Sequence, residues 1–152
     1  MFEDTINELG LLLPEPPKPL AAYVPAVRIA NLVFTSGQLP TENGVLKIKG
    51  KVGAQVSVED GVKAAEICAL NCLSVIKGVT GNLDKIEQVV KITAFVNSAD
   101  YFTGQPKIAN GASELIVKIF GDKGKHARSA VGVSELPLDA PVEIEMIVRV
   151  KD

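Results

Sequence analysis

Hydrophobic positions recur along this chain with two different periods, and the places where the period changes mark out its elements. Over residues 141–151 the period is two. Val142, Ile144, Met146, Val148 and Val150 fall on one side, and Glu143, Glu145, Arg149 and Lys151, with Ile147 among them, on the other, which predicts a half-buried strand. Residues 126–133 carry the same alternation, with Val131 and Val133 on the apolar side and His126, Arg128, Ala130 and Gly132 opposite. If both strands belong to one sheet, Arg128 and Glu143 share its less apolar face. Residues 86–96 have apolar side chains in both rows, Ile86, Gln88, Val90, Ile92 and Ala94 against Glu87, Val89, Lys91, Thr93 and Phe95, the pattern of a central strand. Residues 23–38 are dense in β-branched and aromatic side chains, interrupted at Ala30-Asn31, and read as a hairpin.

Elsewhere the period lengthens to three and four. Val62, Ala65, Ala69, Leu73 and Ile76 line one face of a helix that Ser57 caps, with Glu59 and Asp60 at its positive end and Gly78 and Gly81 as its stop. A second helix over about 106–120 has the stripe Ile108, Ala112, Leu115, Ile116 and Ile119. At the N-terminus Phe2, Ile6, Leu9 and Leu13 predict a short helix over residues 2–12, ended by Gly10 or by the prolines from Pro14 onward. The run to Pro19 is expected to be a stiff extended connector, and Asn43-Gly44 a tight turn within a polar loop or short ribbon. The order is thus helix, strand, strand, helix, strand, helix, strand, strand. This is an α+β fold in which right-handed crossovers put both main helices on one face of a mixed sheet. The other face, expected to carry Val89, Phe95 and Ile147, lacks cover within the chain, so burial against copies of itself is expected.

Composition narrows the function classes. The chain has 152 residues, 47% of them hydrophobic, which suits one domain with a substantial core. Residues 1–19 form an N-terminal helix and proline-rich extension, and 20–152 a single domain. The net charge of −2, without a cationic run, argues against binding nucleic acid through bulk charge. No phosphate-cradling glycine motif occurs. Cys68 and Cys72 lie one helical turn apart and the chain has 1 histidine, so buried reduced thiols fit better than a metal pair or a disulfide. No metal or cofactor is expected. The first residues lack a signal-peptide pattern and no long apolar run occurs, so the expectation is a soluble, cytoplasmic protein.

One segment carries candidate chemistry. Arg128 and Glu143 on one face are open to two readings: a cross-strand ion pair or solvated charges, or a guanidinium fork for a carboxylate beside a group that orients water or moves a proton. Ala127-Arg128-Ser129-Ala130-Val131, then Leu136-Pro137, then Val142-Glu143-Ile144-Glu145 resembles the C-terminal signature of the RidA/YjgF family of imine and enamine deaminases. Further points of likeness are Tyr23, Ser36-Gly37-Gln38-Leu39-Pro40, Val89-Val90-Lys91-Ile92-Thr93 leading to Phe95-Val96, and Asn110.

The resemblance implies a chorismate-mutase-like fold, three subunits around a central barrel, and clefts between them. It further implies that Arg128 clamps the substrate carboxylate, that Gly37 lines the pocket through its backbone, and that the carbonyl of Ala130 holds the substrate nitrogen or attacking water. Glu143 would position that water, with Tyr23 and Asn110 closing the cleft. Ala130 stands where many members have cysteine, so only a backbone role carries over. The N-terminal extension suggests a side branch. Rival readings are a homotrimeric receptor for a small carboxylate that performs no chemistry and, with less support from one histidine and balanced charge, an endoribonuclease. Chorismate mutase activity would follow from fold analogy alone.

Overall fold

The computed structural model describes residues 1–18 and 22–152; the expected boundary between 19 and 20 lies outside the described residues. Helix α1 spans Phe2–Glu8. Gly10, at φ 74°, ends it: the N–H of Gly10 donates to the Asn7 carbonyl and that of Leu11 to the Ile6 carbonyl, pairing two carbonyls that a helix end leaves free. The hairpin follows as β1 (Ala26–Ile29) and β2 (Leu32–Thr35). A short ribbon, β3 (Thr41–Glu42) with β4 (Val45–Leu46), turns at Asn43 and Gly44, both at positive φ, as an Asn-Gly hairpin requires.

Helix α2 runs Val58–Thr80 and Ser57 caps it, its hydroxyl accepting from the Asp60 N–H. Gly81, not Gly78, stops it. Gly78 instead makes room: a Cβ there would come within 3.0 Å of Pro16. Strand β5 (Ile86–Asn97), helix α3 (Gln105–Phe120), strand β6 (Ala127–Val133) and strand β7 (Val142–Val150) complete the chain.

The main sheet has the order β1-β2-β7-β5-β6. Only the β5–β6 ladder is parallel, so the sheet is mixed. Both long helices cover one face, where Ala65, Cys68, Cys72, Leu73 and Ile76 of α2 and Ile108, Ala112 and Ile116 of α3 pack on Ile92, Ile144, Met146 and Val148 of the sheet. Burying each large aliphatic side chain contributes about 1.5–3 kcal/mol. The two helices approach closely because Gly111 has no side chain: a Cβ there would run into the Val62 carbonyl. Both cysteines are free and buried, their thiols directed at the Val142 and Ile144 carbonyls. Burial pushes the Cys72 thiol up to about 12.

Two expectations about sheet faces are corrected. The pairing of β5 with β7 slips twice, between Ile86 and Gln88 and between Val89 and Lys91. These irregularities turn Val89 into the core at 0% exposure and Val90 outward at 38%, the reverse of strict alternation. The second correction concerns Arg128. It pairs with Ile92, which pairs with Met146, and directly opposite residues share a face. Arg128 therefore stands on the helix-covered side, whereas Glu143, three positions from Met146, stands on the open side. The two do not share a face. The open face carries Val27, Phe34 and Val131, at 46%, 38% and 44% exposure, with the half-buried Phe95 and Ile147. No helix among the described residues is long and apolar enough to cross a membrane.

Candidate active site

The residues singled out in the sequence fall into two groups. The first gathers where β2 leaves its ladder. Phe34 pairs with Ile147, yet the next bridge joins Gln38 to Ile144, so one extra residue lies on the β2 side between them. The Met146 N–H is satisfied there by the Thr35 hydroxyl at 2.9 Å. This irregularity lays the Gly37 backbone against Glu143: a Cβ at Gly37 would overlap the Glu143 carboxylate. The φ of Gly37 is not in the left-handed region. Glycine stands here for space, not for backbone conformation.

Tyr23, Gly37, Gln38, Pro137 and Glu143 line a cleft of about 410 Å³, within the ~300–1,000 Å³ usual for small-ligand sites. Burial, and then the nearby Glu145, raise the Glu143 pKa above its ordinary 4.5. A carboxyl moved toward neutrality is better suited to pass protons in both directions. The rim at Pro137 is built on a turn, Pro137–Asp139, with Leu138 and Asp139 at φ 59° and 60°. It is held by buried Asn97, whose amide donates to the Ala140 carbonyl at 3.1 Å and to Asp139 Oδ1 at 3.3 Å.

The second group sits at the β6 edge. Arg128 Nη1 donates to Asn110 Oδ1 at 2.8 Å and to Ser113 Oγ at 3.2 Å, both on α3. His126 reaches the same hydroxyl, with Nε2 at 2.9 Å from Ser113 Oγ and Nδ1 at 2.6 Å from the Gly124 carbonyl. A carbonyl can only accept, so Nδ1 carries a proton; in the neutral ring Nε2 then accepts from the Ser113 hydroxyl, which in turn accepts from Arg128. Among the described residues Arg128 forms no ion pair. An arginine held by a neutral amide and a hydroxyl keeps its charge for an external anion. Ala130, half-buried two residues on, packs against the core.

Within one chain Asn110 braces the guanidinium and lies apart from the Glu143 cleft. Ser113 was missed in the sequence, although it follows Asn110 by three residues on a helix and so shares its face. Among the described residues no group of three or more His, Cys, Asp and Glu gathers as a metal site would require.

A family model described as "YjgF/chorismate_mutase-like, putative endoribonuclease" matches residues 3–148. The chain belongs to the YjgF family. The mixed sheet backed by two helices is that family's chorismate-mutase-like α+β fold. This YjgF chain is 40% identical to the protein TCP17 of Trypanosoma cruzi, over 97% of its own length and 92% of the relative's. It is 30% identical to a 2-iminobutanoate/2-iminopropanoate deaminase of Dermatophagoides farinae, over 91% and 93%. A solved structure of a protein of unknown function from Agrobacterium tumefaciens is 43% identical and superposes with a TM-score of 0.92, over 99% of this YjgF chain and 93% of that one.

Proposed function

We propose that this chain hydrolyses 2-imino acids, and the 2-enamino acids that tautomerise to them, to 2-oxo acids and ammonia. The site would be completed by two copies of the chain. The carrying observation is the division of the candidate residues: an arginine at the β6 edge with no carboxylate partner among the described residues, and a glutamate of raised pKa against a glycine in a cleft on the other face of the sheet. A neighbouring copy that brings its β6 edge to the cleft joins the two halves. The exposed apolar residues of the open face supply the reason to associate. Three copies with these faces turned inward, around a central barrel, would bury them. The mite relative's name supports the substrate class.

In the joined site Arg128 grips the substrate carboxylate in two places, braced by Asn110. Glu143 takes a proton from a water as its oxygen bonds to the imine carbon. It returns that proton to the nitrogen to give the carbinolamine, then takes the hydroxyl proton and passes it to the same nitrogen as the carbon–nitrogen bond breaks, leaving the 2-oxo acid and ammonia. The Ala130 carbonyl orients the nitrogen or the water, Gly37 lets the substrate lie on bare backbone, and Tyr23 closes the mouth. An imine in water is already electrophilic, so positioning the water supplies most of the acceleration.

The test measures 2-oxo acid release from imines generated in situ. Arg128→Ala and Glu143→Gln should each be inactive, and the two mixed, unfolded and refolded together should recover about a quarter of wild-type turnover, the share of random interfaces with both halves intact. A mixture that stays inactive refutes the shared site. Wild-type protein that accelerates hydrolysis of no amino-acid-derived imine refutes the enzyme. Glu143→Gln that binds 2-oxo acids tightly, from a wild type without turnover, would instead identify a carboxylate receptor.

A further inference from the structure

The N-terminal segment is fastened to the domain by contacts stronger than a loose extension needs. Ile6 is fully buried at 0% exposure in the common core. The Phe2 ring meets Phe120 at 4.6 Å between centroids, its backbone N–H donates to Asp84 Oδ1 at 3.0 Å, and Glu3 pairs with Lys77 at 2.8 Å. Farther on, Pro16 fills the notch that Gly78 leaves open in α2. Two consecutive prolines, Pro16 and Pro17, fix their own φ angles, so the backbone leading to Lys18 has little freedom. The segment's last described residues, Pro17 and Lys18, join Tyr23, Gly37 and Glu143 as walls of the cleft.

Lys18 is the only cationic side chain among the described walls of that cleft. It forms no ion pair among the described residues. We infer that Lys18 forms a side-chain subsite that favours imino acids bearing a second carboxylate, the four- and five-carbon 2-imino dicarboxylates. This rests on the cleft being the site of imine hydrolysis. With the carboxylate beside the reacting carbon gripped by a neighbour's Arg128 and the water held at Glu143, the substrate side chain is left to the remaining wall. A flexible ammonium there rewards an anion and offers an aliphatic chain nothing.

The experiment compares kcat/KM for imines derived from aspartate and glutamate with those from 2-aminobutanoate and norvaline, for wild type, Lys18→Ala and Lys18→Glu. Wild type should prefer the dicarboxylic imine of equal chain length by about two- to fivefold, as expected for an exposed charge pair. Lys18→Ala should abolish the preference, Lys18→Glu should invert it, and high salt should shrink it in the wild type. An unchanged ratio in both variants overturns the subsite and leaves the deaminase reading intact. If no imine is turned over, the deaminase reading fails and the subsite is judged by calorimetric binding of 2-oxoglutarate against 2-oxopentanoate. A wild-type preference lost in Lys18→Ala upholds it, and equal affinities overturn it.

Discussion

Replacing Gly37 with alanine should separate what holds this protein together from what makes its cleft work. The added methyl group would overlap the Glu143 carboxylate and lie 2.9 Å from its Cδ and 3.1 Å from its Cγ, so the carboxylate has to swing away. The obstacle is the far end of a flexible side chain, and Gly37 is not at positive φ. The stability cost is therefore that of one displaced rotamer, about 0.5–1.5 kcal/mol. On the proposed mechanism the cost to chemistry is larger, because a general base moved out of line forfeits about 10²–10⁴ in rate. Glu143 also moves toward water, so its pKa should fall toward 4.5, where burial no longer raises it. Thermal unfolding and kcat on one imine, measured for Gly37→Ala, Glu143→Ala and the double variant, form the assay. The two stability changes should be non-additive, since Glu143→Ala removes the three atoms nearest to the added methyl. A Gly37→Ala protein with wild-type kcat would refute the functional contact between this glycine and Glu143. Additive stability losses would refute the geometry.

Other consequences can be checked separately. Glu143 has a folded pKa raised above 4.5, so the folded state holds the proton longer than the unfolded chain and stability declines as pH rises from about that value through the folded pKa; Glu143→Gln should gain on wild type across that window in denaturant titrations, and parallel curves would contradict it. Arg128→Lys should raise KM by about 10- to 100-fold, since a point charge cannot replace two charge-assisted hydrogen bonds worth about 1.5–3 kcal/mol each, while Ser113→Ala should raise it less; equal KM values would show that the brace is dispensable. Gly111→Ala should destabilise by about 1–3 kcal/mol, because the methyl meets the Val62 carbonyl in the backbone of α2, read as a lowered denaturation midpoint. Cys68 and Cys72 should resist alkylation in native protein at pH 8, with Cys72 pushed up to about 12; rapid labelling would mean that the core opens.

What the sequence revealed and what it hid divide along a physical line. The cap at Ser57, the Asn43-Gly44 turn, the β1–β2 hairpin and the two-sided rows of β7 depend on residues close in the chain, and each was legible. The faces of β5 and β6 were not, because they depend on partners. Two slips against β7 rotate Val89 inward, and nothing in the strand's own alternation announces them. The valines of β6 pointed the wrong way because an edge strand can leave Val131 exposed while small Ala130 and braced Arg128 lie toward α3. Gly78 carries the signature of a helix stop, and only Pro16, more than sixty residues earlier in the numbering, explains why it is not one. Resemblance points to the site residues, whereas their division between two faces follows from the register of β6 and β7 on β5.

Asn97 gives the cleft rim an unusual inheritance. Two consecutive non-glycine residues, Leu138 and Asp139, sit in left-handed backbone, a conformation costing about 1–3 kcal/mol each. They are kept there by an amide forty residues away and by the Gly50 N–H on the Asp139 carbonyl at 2.8 Å. Side chains at Leu138, 70% exposed, can drift and reshape what the mouth admits. The loop's path cannot drift with them, since deamidating one buried asparagine would set an anion against the Gly50 and Ala140 carbonyls and Asp139 Oδ1 and let the lip spring open.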